Sequence, residues 1–264
     1  MTIYDCKKNE KSVRIFDMVS IVIPTLNEEE HLPRLLHSIK QQKYRDYEII
    51  IADAGSADHT REIAQKFGCK VVKGGLPGKG RNEGAKAAKG EMLLFVDADV
   101  VLRDKKFLEK LLKEFERRHL DIAGCVMKIP SRKKFYRIVE KMYVLYFKST
   151  ESFYPHATNC ILVRSLLHRA IRGFDETIKL GEDFEYVRAA AKKGKFAFIT
   201  NVSFYASPRR AEESLMRVMT QYLLAEVHMT LFGPIHSDIF RYRFGHAKNK
   251  KTRKIFFGLG KKEL

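Results

Sequence analysis

The sequence predicts an α/β fold with a mostly parallel central sheet. Three observations predict it. Over the first hundred residues, short apolar runs rich in β-formers alternate with segments whose apolar residues recur at helical spacing. Such alternation gives βαβ units and a parallel sheet. The runs end in polar or acidic clusters, above all Asp97-Ala98-Asp99 after Met92-Leu93-Leu94-Phe95-Val96. In open α/β sheets, ligands bind beyond the carboxyl ends of the strands, so these clusters fall where a site belongs.

The elements follow in order. Residues 19–23 form a short strand closed by Pro24. Leu32, Leu35, Leu36 and Ile39 then recur as one helix face, with Pro33 tolerated in the first turn. Residues 48–52 are the second strand, and Ser56 is placed to cap the helix carrying Ile63, Ala64 and Phe67. Residues 70–72 are a third strand. A glycine-rich loop over 74–80 and a helix over 81–89 lead into the strand at 92–96. Residues 104–118 are amphipathic, with Phe107, Leu108, Leu111, Leu112 and Phe115 inward. Strands follow at 121–129, 160–163 and 195–205, with helices at 134–148, 184–193 and 212–232. The domain reading is an N-terminal extension over 1–17, one domain over 18–232 and a basic C-terminal tail over 233–264.

Composition narrows the function classes. The 264 residues carry a formal net charge of +18, which implies anionic partners: nucleic acid, an anionic membrane face or phosphorylated substrates. The four cysteines are scattered and form no C-x-x-C pair, which argues against a disulfide framework or a zinc site and fits a reducing compartment. Residues 1–17 lack an apolar core of signal-peptide type, and no run approaches ~18 apolar residues. The expected location is cytoplasmic, with the inner face of the membrane as a peripheral surface.

Asp97 and Asp99 carry the clearest chemistry. A buried strand that ends in two acids ends in costly negative charge unless a cation or polar ligand meets it. Hard oxygen ligands beside a phosphate suit a divalent ion. Further polar clusters stand at other element ends: Pro24-Thr25-Leu26-Asn27-Glu28, Asp53 to Thr60, Gly78-Lys79-Gly80-Arg81 and Gly181-Glu182-Asp183. Gly78 to Arg81 permits close backbone approach and supplies two cations, but the G-x-x-x-x-G-K-[ST] P-loop is absent.

The ordered set resembles family 2 glycosyltransferases of the GT-A fold. It consists of Ile21-Val22-Ile23-Pro24-Thr25-Leu26-Asn27-Glu28, then Asp53 to Thr60, Asp97-Ala98-Asp99, Gly173-Phe174-Asp175-Glu176 and Gly181-Glu182-Asp183. The resemblance spans roughly residues 18–210. It implies a Rossmann-like sheet flanked by helices, with the helical and basic C-terminal extension outside that core. It also implies an inverting transfer from a nucleoside-diphosphate sugar, UDP-linked first, with Mn2+ or Mg2+.

Role by role, the resemblance gives Asp99 to the metal and Asp97 to the ribose and metal-bound water, with Ala98 between them at the donor. Pro24, Thr25 and Glu28 border the nucleoside, and Asp53 reads the base. A carboxylate only accepts, which suits the imide N–H of uracil, though guanine also offers a ring N–H. Lys79 and Arg81 line the nucleotide, and Arg209 and Arg210 supply cations to the leaving diphosphate. Asp183 is the catalytic base, its pKa raised by the negative surroundings, and Glu182 shapes the acceptor side. Relatives often carry a second acid where Ala54 stands. The chain has no tryptophan, so the Q-x-x-R-W pattern of processive synthases is missing and single-sugar transfer is expected.

His156, Thr158 and Asn159 fall near the acceptor region and read as structural. His228 reads as a core histidine before a third metal ligand. The expected acceptor is a glycan or a lipid-linked group, with an anionic membrane surface as partner and no nucleic acid. The helix over 134–148 mixes Lys and Arg with aromatic residues and reads equally as a membrane-surface helix or a core-packing one. Two other classes compete. A nucleotidyltransferase needs an early Gly-rich nucleotide loop, where Pro24-Thr25-Leu26-Asn27 stands instead. A non-catalytic basic binder of RNA or membranes has no use for acids at every strand end.

Overall fold

The computed structural model describes residues 18–128, 134–206, 224 and 226–236. The N-terminal extension over 1–17, Arg209 and Arg210, most of the expected helix over 212–232, and the tail from 237 lie outside the described residues.

Seven strands form one sheet in the order β3-β2-β1-β4-β6-β5-β7. They are β1 (Val19–Thr25), β2 (Tyr47–Asp53), β3 (Lys70–Lys73), β4 (Met92–Val96), β5 (Ile122–Lys128), β6 (Cys160–Arg164) and β7 (Phe196–Tyr205). β1, β2, β3 and β4 run parallel, as does the β5–β7 pair. β6 is antiparallel to both of its neighbours. The sheet is therefore mostly parallel, with one reversed strand joining its two parallel parts.

Side chains alternate along the strands and sort into two cores. Val19, Ile21 and Ile23 of β1 and Met92, Leu94 and Val96 of β4 face one side. There they meet α1 (Leu32–Lys40), α2 (Thr60–Lys66) and α4 (Phe107–Arg117). Val22, Leu93 and Phe95 face the other side, against α6 (Ser165–Ala170) and α7 (Glu182–Ala191). The result is a helix–sheet–helix sandwich, the mixed α/β architecture expected.

Three local expectations change. The glycine-rich segment is not a loop over 74–80, because α3 begins at Pro77 and runs to Ala87. Its glycines serve close packing. A Cβ on Gly80 would lie 3.2 Å from Pro24 Cβ, and one on Gly84 would collide with Val22 of β1. α3 thus lies almost directly on β1. Ser56 does not cap α2; His59 is the N-cap residue, and Asp58 accepts the Thr60 N–H at 3.0 Å. The helix α6 was not foreseen, since six residues carry too little periodicity to register.

α5 (Lys134–Thr150) lies beside β5 and β7. Tyr143, Val144 and Phe147 pack it against Val126 and Phe198. No helix among the described residues is long and apolar enough to cross a membrane.

Candidate active site

The parallel register brings the strand ends together. Thr25 pairs with Asp53 at the ends of β1 and β2. The Thr25 hydroxyl donates to Asp53 Oδ1 at 3.1 Å. Ser56 Oγ donates to the same oxygen at 2.5 Å, and the Gly55 and Ser56 N–H groups donate to Oδ2 at 3.1 and 2.9 Å. A carboxylate offers about four lone-pair sites, and this turn and Thr25 together fill them all. Asp53 is 4% exposed and organises its own loop.

That loop is fastened to the loop after β1. Asn27, in the left-handed region at φ 54°, donates its N–H to Ser56 Oγ at 2.9 Å. Its side-chain oxygen accepts the Ala57 N–H at 2.8 Å. The Glu28 N–H donates to Thr60 Oγ1 at 2.8 Å, and the Glu29 N–H to Asp58 Oδ2 at 3.1 Å. Pro24, Thr25, Glu28 and Asp53 therefore share one buried, cross-bonded wall.

The second wall is built around charge. β4 ends at Val96, opposite Cys160 of antiparallel β6, so Asp97 meets Asn159. The Asp97 N–H donates to the Asn159 carbonyl at 3.2 Å, and the Asn159 amide donates to Asp97 Oδ2. Arg81 reaches this point from α3. Its Nη2 donates to Asp97 Oδ1 at 2.8 Å and its Nη1 to Glu182 Oε1 at 2.7 Å. Arg81 is 5% exposed. Burial opposes its charge, but Asp97, Glu182 and Asp183 together push its pKa up.

Glu182 and Asp183 open α7 after Gly181, whose φ of +82° suits glycine; a Cβ there would also collide with the Met229 sulfur. Asp183 is half-buried and accepts the Phe184 N–H at 3.0 Å. Desolvation, then the Glu182 charge, push its pKa up to about 7; Arg81 pulls the other way and Asp97 adds to the rise. The direction is the one expected, and burial is the larger cause.

An aromatic block fixes this wall. The Phe174 ring stacks on Tyr186 of α7 at 3.7 Å and meets Phe95 of β4 edge-on at 5.0 Å. The Arg81 guanidinium lies 5.3 Å from the Phe174 centroid. Asn82 clamps the loop. Its Oδ1 accepts the Phe174 N–H at 2.8 Å, and its Nδ2 donates to the Phe174 carbonyl and to Glu176 Oε1, both at 2.9 Å. Asn82, Asn159 and Phe174 escaped sequence reasoning as site-builders. The neighbour of Arg81 was a visible signal for Asn82, and Phe174 stood in the Gly173-Phe174-Asp175-Glu176 motif without a role assigned to it.

The remaining candidates separate. Asp99 is half-buried just past Asp97. Ala98 turns its methyl into the core. Lys79 is exposed, its stem lying over Gly75. His156 is 1% exposed and stacks on Phe147 at 4.1 Å; burial lowers its pKa to about 4. Thr158 is buried and donates to the Cys160 carbonyl at 3.0 Å. His228 is half-buried, 5.3 Å from the Phe232 ring, not in the main core.

Among the described residues no three His, Cys, Asp or Glu side chains converge as a metal cage. Mg2+ and Mn2+ do not need one, because they bind through one or two carboxylates completed by substrate phosphates. Asp99, with Asp97 beside it, fits that pattern.

Comparisons place this geometry. The uncharacterized glycosyltransferase EpsJ of Bacillus subtilis is 29% identical over 203 residues, covering 67% of this chain and 57% of EpsJ. The poly(ribitol-phosphate) beta-N-acetylglucosaminyltransferase TarS of Staphylococcus aureus is 25% identical over 213 residues, covering 74% of this chain and 36% of TarS. The chain thus spans between about a third and three-fifths of these relatives. In fold, it matches the crystal structure of S. aureus TarS 1–349 in complex with UDP at a TM-score of 0.62 and 22% identity, covering 81% of this chain and 72% of that one. It matches the mannosyltransferase PcManGT of Pyrobaculum calidifontis, in complex with GDP-Man and Mn2+, at 0.59 and 19%, covering 73% of this chain and 57% of that one. These neighbours show a GT-A fold. The profile of glycosyl transferase family 2 matches residues 20–173, more than half of the chain, and so the chain belongs to glycosyl transferase family 2.

Proposed function

We propose that this chain is a metal-dependent, inverting glycosyltransferase that moves one sugar from a nucleoside-diphosphate sugar, UDP-linked by first choice, to a hydroxyl or phosphate acceptor that is lipid-linked at an anionic membrane surface. The observation that carries the reading is the convergence of Asp97, Glu182 and Asp183 on buried Arg81 at the sheet edge. The complexes of TarS with UDP and UDP-GlcNAc and of PcManGT with GDP-Man and Mn2+ support a nucleotide-sugar donor and leave the base open between uracil and guanine.

Each residue has a task. The wall of Pro24, Thr25, Glu28 and Asp53 borders the nucleoside. With Asp53 filled by its own turn, a base N–H must displace the Ser56 hydroxyl to reach it. Asp97 keeps the ribose side in register through Asn159. Asp99 would hold Mn2+ or Mg2+; the ion supplies Lewis-acid neutralisation of the diphosphate oxygens as the anomeric bond breaks. Lys79, Arg209 and Arg210 add positive charge toward the diphosphate.

Asp183 takes the proton of the acceptor hydroxyl as that oxygen attacks the anomeric carbon. A carboxylate poised near neutrality is strong enough a base and still ionises in the working range. Glu182 fixes Arg81 and thereby the field at Asp183.

A calorimetric screen of UDP-, GDP- and dTDP-sugars with Mn2+ tests the donor. We expect one UDP-sugar to bind and Asp99→Ala to abolish both transfer and metal dependence. Full activity in a chelator would end the metal argument. Binding of none of the donors would end the transferase reading.

A further inference from the structure

α5 has two apolar faces, and among the described residues only one is packed. Tyr143, Val144 and Phe147 turn inward onto the sheet. Phe135, Ile138, Met142 and Leu145 are 53%, 56%, 66% and 70% exposed. At about 100° per residue these four fall within a stripe roughly 80° wide, on the side opposite the packed residues. Lys134, Arg137 and Lys141 are exposed and form an adjoining line on one flank of that stripe, which Lys148 extends while paired with Glu151 at 2.7 Å. Tyr146 donates to Glu226 Oε1 at 2.9 Å, which places the helical turns at 226–232 beside the end of α5. Those turns add Leu231 and Phe232, 68% and 76% exposed. The helix thus carries both a core face and a surface face.

We infer that the outer face of α5 is an in-plane docking surface for an anionic lipid bilayer. An apolar stripe bordered by Lys and Arg is the pattern of a helix lying in the headgroup region, with apolar side chains entering the acyl boundary and cations on lipid phosphates. The helix spans about 25 Å, enough for a surface anchor. The line of cations and the net charge of +18 select an anionic bilayer over a second copy of this equally basic chain. Only the purpose of this docking, meeting a lipid-linked acceptor, rests on the transferase reading.

The test is co-sedimentation of the full chain, without donor, with vesicles of phosphatidylglycerol and phosphatidylcholine and with pure phosphatidylcholine. We expect binding to the anionic vesicles, at least about tenfold weaker for the double variant Met142→Glu, Leu145→Glu. The double variant Arg137→Ala, Lys141→Ala should lose about tenfold or more on anionic vesicles and little on neutral ones. Thermal unfolding and UDP-sugar calorimetry should be unchanged in both, since these side chains face solvent. Unimpaired vesicle binding by Met142→Glu, Leu145→Glu would assign attachment to the basic stretch over 241–264 and overturn the proposal. So would no binding by the unaltered chain, or a dimer in analytical ultracentrifugation that this variant abolishes. Loss of donor binding with vesicle binding intact would count against the transferase reading alone.

Discussion

Asp53 and Asp183 stand on the two walls of one sheet edge and are held in opposite ways. Asp53 is buried and accepts four hydrogen bonds from the turn that carries it and from Thr25. Asp183 accepts a single backbone N–H among the described residues, and it shares its surroundings with Glu182 and Asp97. A carboxylate whose lone pairs are filled from its own loop is fixed in place. One left with few bonds beside other acids is held near its own ionisation, where a proton can move. The wall at Asp53 is thus rigid and polar, and the wall at Asp183 is charged and responsive.

The comparison breaks most visibly at Asp183. Asp183→Asn should lower sugar transfer by about 10²–10⁴-fold while leaving nucleotide-sugar affinity nearly unchanged. Steady-state kinetics beside calorimetry give both numbers. Equal loss of binding would make Asp183 a donor ligand and remove the base assignment. In the unaltered chain, kcat/KM should climb with pH through about 7, as the carboxyl loses its proton.

The same residue has a stability signature. Its folded pKa lies above its unfolded value, so the folded chain keeps a proton that the unfolded chain releases, and stability falls as pH rises from about 4 to about 7. Asp183→Asn removes that penalty. Its melting temperature should exceed the parent's by several degrees at pH 8, with the gap closing toward pH 4. A variant that melts lower at pH 8 would mean the carboxylate is a structural anchor like Asp53.

Arg81→Lys sharpens the contrast next. Lysine keeps one charge but cannot bridge Asp97 and Glu182 with a planar fork. Losing one charge-assisted bond predicts a drop in transfer of about 10–100-fold. The shorter lysine sets that charge farther from Asp183, so the rising limb of the pH profile should move upward. A fall in rate without that movement would leave Arg81 as a packing residue over Phe174.

How much of this was legible before the structure depends on the range of the interaction. Strand ends and helix faces are written locally, so the parallel sheet, the helix start at Glu182 and the inward faces of α1 and α4 could be read from spacing. Sharing of polar atoms is not written locally. The Arg81 fork joins Asp97 and Glu182 across sequence separations of 16 and 101 residues. Asn159 meets Asp97 only because β6 runs antiparallel to β4, a reversal no local pattern announces. The glycines over 74–80 read as a loop, although α3 begins at Pro77, because glycine gives the same letter for a turn and for a helix pressed on a strand. The charge of Asp53 is visible in the sequence, and the four donors around it are not.

Two changes probe the rigid wall with smaller effects. Asp53→Asn puts an amide where backbone N–H groups donate, leaving donors facing donors. It should cost about 2–4 kcal/mol of folding stability in a urea titration and weaken donor binding in parallel. Ser56→Ala is gentler. It removes one donor to Asp53 and the acceptor for the Asn27 N–H, and the site is 2% exposed, so water does not easily replace it. About 1–2 kcal/mol of stability should be lost, with donor affinity reduced a few-fold as the two loops loosen. The telling measurement is the pH profile. Ser56 touches the Asp53 network and none of the groups that set Asp183, so its rising limb should stay where the unaltered chain has it. A limb that moved with Ser56→Ala would show the two walls to be electrostatically coupled, and Asp53 would then belong to the responsive side of the site after all.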